Sequence, residues 1–204
     1  MKNKILVGII IAIFYIIIIK LGKIKLLYNI VLNLSILELS YIFIKHYKTS
    51  KYNIIFFIIS ISKIVLCKYL LKKRVIPKKE LNKLLINTCL NDIFQELIGK
   101  TLGKTKITKI SPNKTLEGYL GGCLTSLIYG KIIFKQNIKY STLIYVSNII
   151  GDLYFSYVKR LYGIKDFSRL LLDHGGLLDR FDSLILATIT HILTNNIANI
   201  KVVK

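Results

Sequence analysis

The amino-acid sequence predicts an all-α protein, a polytopic membrane bundle of six or seven transmembrane helices. Two observations lead to this prediction: 53% of the 204 residues are hydrophobic, and they fall in long blocks with few charges. A helix needs about 20 mostly apolar residues to cross the roughly 30 Å hydrocarbon core of a bilayer. Soluble domains have shorter apolar runs, and disordered chains are less hydrophobic. We therefore expect an integral membrane protein.

Six apolar blocks approach the length of a bilayer-spanning helix. The first, 5–19, carries no charge and is followed by lysines rather than by a small-residue cleavage site, so we interpret it as a retained span. Each of the others contains at most two charged residues. A more polar segment, 81–102, is predicted as a helix of undetermined depth. The remaining blocks are 26–44, 52–71, 118–134, 140–158 and 183–200.

The formal charge of +21 does not indicate a nucleic-acid partner. The 31 lysines and arginines lie between the apolar blocks rather than along one helix face. Because lysines occur in nearly every connection, the positive-inside rule cannot set the topology. The three cysteines are widely separated and lack C-x-x-C spacing, so the sequence predicts neither a disulfide framework nor a zinc site.

Acidic residues are concentrated in one stretch of the chain. Five of the six aspartates fall between 152 and 182, together with basic residues and a glycine pair. Carboxylates suit a hard cation such as Mg²⁺, cations hold phosphate oxygens, and glycine permits close backbone approach. The stretch therefore predicts a metal and phosphate site. Its members are Asp152, Lys159, Arg160, Lys165, Asp166, Arg169, Asp173, His174, Gly175, Gly176, Asp179, Arg180 and Asp182.

Helical spacing places some of these groups on common faces. Asp152, Ser156 and Lys159 follow an i, i+4, i+7 pattern at the end of an apolar span. An acid at this depth is costly without a partner, so Asp152 is either functional or part of a buried ion pair with a lysine. Asp179 and Asp182 share a face just before the last span, where Asp182 could instead cap the helix.

Two further patterns leave a structural and a functional interpretation open. Residues 111–122 begin as a turn and continue as a small-residue helix start, where Lys114 and Thr115 could meet phosphates and Glu117 could hold a hydroxyl or a lysine. A solvated loop explains the same residues. Upstream, a stripe of two acids and two glycines is explained equally by a polar helix face packed through small residues. The stripe comprises Asp92, Glu96, Gly99 and Gly103.

Residues 156–182, SYVKRLYGIKDFSRLLLDHGGLLDRFD, resemble the signature of phosphatidate cytidylyltransferases, also called CDP-diacylglycerol synthases. The preceding Gly151-Asp152 and the SPNKTLEG element at 111–118 also match that family. The resemblance extends from about residue 90 to the end of the chain. Leu172 departs from it, because the family usually carries a proline or a small residue there.

The resemblance implies transfer of a cytidylyl group from CTP to phosphatidate, giving CDP-diacylglycerol and pyrophosphate. It implies Mg²⁺ at Asp152 and Asp179, with Asp166 and Asp182 beside it or at a second, monovalent cation. Residues 1–80 would be N-terminal spans and 81–204 the catalytic membrane region. The implied catalytic residues are Asp152, Lys159, Lys165, Asp166, His174, Asp179, Arg180 and Asp182. The implied substrate-binding residues are Ser111, Lys114, Thr115, Glu117, Ser156, Arg160, Gly175 and Gly176.

The same resemblance implies a location and partners. Phosphatidate lies in the bilayer and CTP in the cytosol, so the active site should face the cytoplasm in the cell (inner) membrane, and the resemblance suggests a homodimer. Three alternatives remain: a cytidylyltransferase for another lipid phosphate, a transporter with Asp152 as its ion site, and a non-catalytic relative.

Overall fold

A computed structural model of the chain describes residues 13–46, 52–73, 76–135, 137–172 and 175–202. Within these ranges the chain is all-helical, apart from turns and one isolated antiparallel bridge between Lys106 and Thr115. Residues 13–20 are helical, and a π-helical turn, Gly130–Phe134, continues the fourth helix. The helices are α1 (Ile24–His46), α2 (Tyr52–Lys73), α3 (Lys78–Thr101), α4 (Leu116–Tyr129), α5 (Ile138–Leu161) and α6 (Leu178–Val202).

The all-α prediction is confirmed, and each helix from α1 to α6 overlaps a segment that the sequence analysis marked as helical. The first block lies partly outside the described residues. Two helices in the described ranges, α1 and α2, are long and apolar enough to cross a membrane. The total of six or seven spans stays a prediction.

The start of the last helix differs from the prediction. Helix α6 begins at Leu178, five residues before the apolar block that starts at Ser183. Asp179 and Asp182 therefore lie inside its first two turns rather than ahead of it. The interpretation of Asp182 as an N-terminal cap is wrong, because a cap precedes the first helical residue.

The packing divides the chain into two compact units. The first comprises Met1–Asn82 and Tyr157–Asp182, and the second comprises Lys83–Ser156 and Ser183–Lys204. The sequence-based division at residue 80 concerns function and stays a prediction.

In the first unit, α1 buries one face and exposes another that is equally apolar. Leu32, Leu39 and Ile42 are buried, whereas Leu37 and Ile44 on the opposite side are 64% and 75% exposed. Phe43 of α1 stacks on Phe57 of α2 with ring centroids 4.1 Å apart. An apolar outer face of this kind is typical of a helix that meets lipid rather than water.

In the second unit, α3 presents buried polar side chains to its neighbours. Asn87 donates to Ser126 of α4 at 3.3 Å, and Thr88 donates to Asn148 of α5 at 3.2 Å. Hydrogen bonds of this type hold helices together where burial of apolar surface cannot distinguish protein from lipid.

The contact between α3 and α4 is made through glycine. A Cβ atom at Gly118 would lie 2.6 Å from the backbone oxygen of Gln95, and one at Gly103 would lie 2.5 Å from Oγ1 of Thr115. Gly99 and Gly103 therefore serve packing, as the structural interpretation of their stripe predicted. Glu96 of the same stripe is exposed and pairs with Lys100 on its own helix.

Candidate active site

In the first unit, Asp179 organises the segment that leads into α6. Its Oδ1 atom accepts a hydrogen bond from the Lys159 ammonium at 2.7 Å, and the two side chains are 3% and 11% exposed. Its Oδ2 atom accepts from the backbone amides of Phe167 at 2.8 Å and Gly176 at 2.9 Å. We call residues 162–177 the signature loop. One carboxylate thus ties both arms of this loop to a lysine of α5.

Gly175 brings a second carboxylate close to the first. Its φ of +81° lies in the left-handed region, which favours glycine. A Cβ atom at this position would lie 3.0 Å from Oδ2 of Asp179 and 3.2 Å from Oδ1 of Asp166. Asp166 and Asp179 therefore both face the backbone of Gly175, and two of the predicted metal-binding carboxylates are neighbours.

The remaining predicted residues of this unit differ in exposure. Lys165, Arg160 and Arg180 are exposed, and the Arg160 guanidinium donates to the backbone oxygen of Ile164 at 3.0 Å. Asp182 is buried. His174 lies outside the described residues.

In the second unit, two motifs that are 38 residues apart meet at Asp152. Its carboxylate forms an ion pair with Lys114 of the SPNKTLEG element, and the two side chains are 18% and 22% exposed. Ser156 donates to Oδ1 of Asp152 at 3.4 Å. The Lys114 ammonium also lies 5.9 Å from the centroid of the Tyr119 ring. Asp152 thus forms an ion pair with a lysine that comes from the other predicted substrate-binding motif, and the functional role of Asp152 stays a prediction.

The other polar residues of the SPNKTLEG element have local partners. Thr115 caps α4, with its hydroxyl accepting from the Gly118 amide at 3.2 Å. Ser111 lies in a turn in which its amide donates to Oγ1 of Thr108 at 3.3 Å. These contacts account structurally for Thr115 and Ser111, and their substrate-binding roles stay predictions.

Glu117 holds the segment that precedes α4. Its carboxylate accepts from the amides of Lys104 at 3.1 Å and Thr105 at 3.2 Å. Hydrogen bonds from its own amide and from those two amides lower the pKa of Glu117 to about 2. It therefore carries a fixed negative charge at any physiological pH.

The carboxylates suit Mg²⁺ in their chemistry. No three His, Cys, Asp or Glu side chains within the described ranges are grouped closely enough to hold a metal ion by themselves. Mg²⁺ commonly binds one or two carboxylates and completes its shell with water and substrate phosphates. Asp152 in the second unit and the neighbouring Asp166 and Asp179 in the first are donors of that kind.

Sequence reasoning missed one residue of this region. Glu38 of α1 is buried, and its carboxylate accepts hydrogen bonds from Ser168, Leu177 and Leu178. The available signal was its position as the single acid in the apolar block 26–44. Its partners could not be inferred, since they lie at least 130 residues further along the chain.

Residues 2–197 match the model of the cytidylyltransferase family, and the chain belongs to that family. It is 39% identical over 126 residues to the phosphatidate cytidylyltransferase of Aquifex aeolicus, covering 57% of this chain and 47% of that protein. It is 40% identical over 119 residues to the Helicobacter pylori (strain J99) enzyme of the same name, covering 54% and 45%.

A further relative is the uncharacterized protein YnbB of Escherichia coli, 47% identical over 104 residues, which cover 47% of this chain and 35% of that protein. The matched segments thus span about half the length of the first two relatives and about a third of the third.

Proposed function

We propose that the protein transfers a cytidylyl group from CTP to phosphatidate, forming CDP-diacylglycerol and pyrophosphate. The observation that supports this most strongly is the arrangement around Asp179, where a buried lysine, a second carboxylate and a glycine turn meet in one loop. Family membership and the names of the relatives support the same reaction.

In the proposed reaction, an oxygen of the lipid phosphate attacks the α-phosphorus of CTP. A new P–O bond forms there, the bond between the α-phosphorus and the bridging oxygen breaks, and pyrophosphate leaves with that oxygen. Phosphatidate is ionised near neutral pH, so no side chain has to remove a proton from it. Catalysis of this type consists mainly of positioning and neutralisation of charge.

The basic residues of the signature supply both effects. Lys159 is held in place by Asp179, and the exposed Arg160, Lys165 and Arg180 offer cations to phosphate oxygens. A guanidinium can bind two phosphate oxygens at once, and an ammonium acts as a point charge. His174 with Gly175 and Gly176 would shape the loop against the nucleotide.

We propose carboxylates of each unit as Mg²⁺ ligands that act with the CTP phosphates: Asp166 with Asp179 in the first unit, and Asp152 in the second. Bound there, the metal would neutralise negative charge that develops on the transferring and leaving groups. Asp182 is proposed to support this cluster or a monovalent cation. Lys114 and Ser156 hold Asp152 in the absence of substrate. Ser111, Thr115 and Glu117 are proposed on the substrate side.

The setting of the reaction is also a proposal. The chain would span the cell (inner) membrane with six or seven helices, act as a homodimer, and face the cytoplasm with its active site. The two apolar helices α1 and α2 support membrane insertion, and the location of the two substrates supports the orientation.

Membranes that contain the full chain would test the reaction with labelled CTP, phosphatidate and Mg²⁺. We expect cytidine label in the lipid phase with the wild type and with Glu96→Gln, whose carboxylate is exposed and pairs with Lys100. Asp179→Asn, or removal of Mg²⁺ by a chelator, should abolish the label. Folded wild-type protein that labels no lipid, with several lipid phosphates tried, would overturn the proposal, and ion flux through the same membranes would favour a transporter.

A further inference from the structure

Glu38 is the single acid of α1, a helix apolar enough to cross a membrane, and it is 6% exposed. A carboxylate at such a depth is costly unless hydrogen-bond donors surround it. The hydrogen-bond donors around the carboxylate therefore explain how Glu38 is accommodated in this helix.

The carboxylate of Glu38 is surrounded by donors from a different part of the first unit. Oε1 accepts from the Ser168 hydroxyl at 2.6 Å and from the Leu177 amide at 3.0 Å, and Oε2 accepts from the Leu178 amide at 2.8 Å. Leu178 is the first residue of α6. The first amides of a helix have no partner within it, and its N-terminus favours negative charge. Glu38 thus supplies from α1 what a local capping residue usually provides.

Glu38 and Asp179 together accept hydrogen bonds from three consecutive backbone amides. Asp179 accepts from Gly176, and Glu38 accepts from Leu177 and Leu178. The two carboxylates also hold the other arm of the signature loop, at Phe167 and Ser168 respectively. The loop is thus held by one acid from within the signature and by one from outside it.

The fit around Glu38 is close. A Cβ atom at Gly176 would lie 2.8 Å from both carboxylate oxygens of Glu38 and 2.8 Å from Oγ of Ser168. The second glycine of the Gly175-Gly176 pair therefore makes room for the glutamate of α1. This gives Gly176 a reason to be glycine that does not depend on a nucleotide.

We propose that Glu38 is a positioning residue for the cytidylyl transfer. Its carboxylate fixes the signature loop and the first turn of α6, and so sets where Asp179 and Lys159 stand toward the phosphates, without touching substrate itself. This inference rests on the proposed function. It differs from a purely structural role, because loss of Glu38 should lower kcat far more than it lowers the amount of folded protein.

Three variants of the full chain in detergent separate these roles. Glu38→Gln keeps the size of the side chain but replaces one acceptor by a donor that would face an N–H or O–H group. Glu38→Asp keeps the negative charge but shortens the side chain by one methylene, which moves the carboxylate away from its donors. Ser35→Ala is the matched control, since Ser35 is fully buried on the same face of α1 and its hydroxyl has no partner among the described residues.

Two readouts are needed. Hydrogen exchange of the amides at 176–178 requires no substrate, and we expect it to be at least about tenfold faster in Glu38→Gln and unchanged in Ser35→Ala. Steady-state turnover should show kcat lowered by about 100-fold in Glu38→Gln, the size expected for displacement of a catalytic group by about 1 Å. Glu38→Asp should recover part of both quantities, and it replaces Glu38→Gln if that variant does not fold.

The two readouts test the anchoring role and the positioning role of Glu38 separately. Unchanged exchange at 176–178 in Glu38→Gln, or an equal increase in Ser35→Ala, would overturn the anchoring role. Faster exchange with kcat within twofold of the wild type would overturn the positioning role. If the wild type transfers no cytidylyl group, the proposed function fails and the positioning role fails with it, while the exchange result still shows whether Glu38 holds the loop.

Discussion

The Lys159 ammonium and Oδ1 of Asp179 lie 2.7 Å apart, and both side chains are buried. Their elements, α5 and the start of α6, are joined by the signature loop, so the ion pair closes the loop at its base. A buried pair of this kind is worth little compared with apolar packing, but the loss of one partner is costly. We therefore infer that the main effect of the pair is to fix the positions of the Lys159 ammonium and the Asp179 carboxylate.

The pair predicts that stability and activity can be separated. Asp179→Asn can still accept from the Phe167 and Gly176 amides, but its amide group would then face the Lys159 ammonium as donor against donor. We expect a loss of about 3–5 kcal/mol in unfolding free energy and no turnover. Adding Lys159→Met should recover most of the stability and none of the turnover, as measured by thermal unfolding in detergent and lipid labelling. Recovery of turnover in the double variant would contradict the catalytic assignment.

The lowered pKa of Glu117 predicts a dependence of stability on pH. Its pKa is about 2 in the folded protein against an ordinary value of 4.5, so the folded state favours the ionised form. The stabilisation is complete above about pH 4.5 and is lost as the pH falls toward 2. The difference in unfolding temperature between wild type and Glu117→Gln should therefore narrow over that range. If the difference in unfolding temperature stays constant from pH 6 to pH 2, the Glu117 carboxylate does not accept the hydrogen bonds from the Lys104 and Thr105 amides.

The glycine contact between α3 and α4 predicts a steric cost. Gly118→Ala would place a methyl group 2.6 Å from the Gln95 carbonyl, and two backbones must separate to admit it. We expect a loss of about 1–3 kcal/mol. Gly163→Ala is a useful comparison, because its φ is +66° but nothing lies within 4 Å of the added atom. It should cost about 1–2 kcal/mol through backbone strain alone, and only Gly118→Ala should change the hydrogen exchange of α3.

Leu172 predicts a stabilising substitution. It has a φ of +53° and is 66% exposed, so its side chain gains little to offset the strain. Leu172→Gly should raise the unfolding free energy by up to about 1 kcal/mol. Leu172→Pro should lower it, because proline fixes φ near −65° and removes the amide that donates to Arg169 at 3.0 Å. Calorimetry of the two variants in detergent would check both signs, and a stabilising proline would show that the loop can adopt another backbone path.

The sequence was sufficient for the parts of this structure that depend on local pattern. The length of the apolar blocks predicted the helices, and the concentration of acids predicted one candidate site that includes Lys159, Asp166 and Asp179. In the first unit, Asp179 pairs with Lys159 and lies close to Gly175, as does Asp166, whereas their role in a metal and phosphate site stays a prediction. An ion pair of Asp152 with a lysine was one of two interpretations, but Lys114 was not predicted as the partner, because 38 residues separate the two. Helix α6 begins earlier than its apolar block, since the first turn is stabilised by Glu38 from another helix.

The hydrogen bonds of Glu38 can form only late in the synthesis of the protein. The amide of Leu178 is separated from Glu38 by 140 residues of chain. At a synthesis rate of roughly 5–20 residues per second, the acid of α1 is synthesised about 7–28 seconds before that partner. Throughout that interval, the Glu38 carboxylate of the growing chain lacks the hydrogen-bond donors that surround it in the folded protein. A polypeptide that ends before α6 should leave Glu38 exposed to quality control.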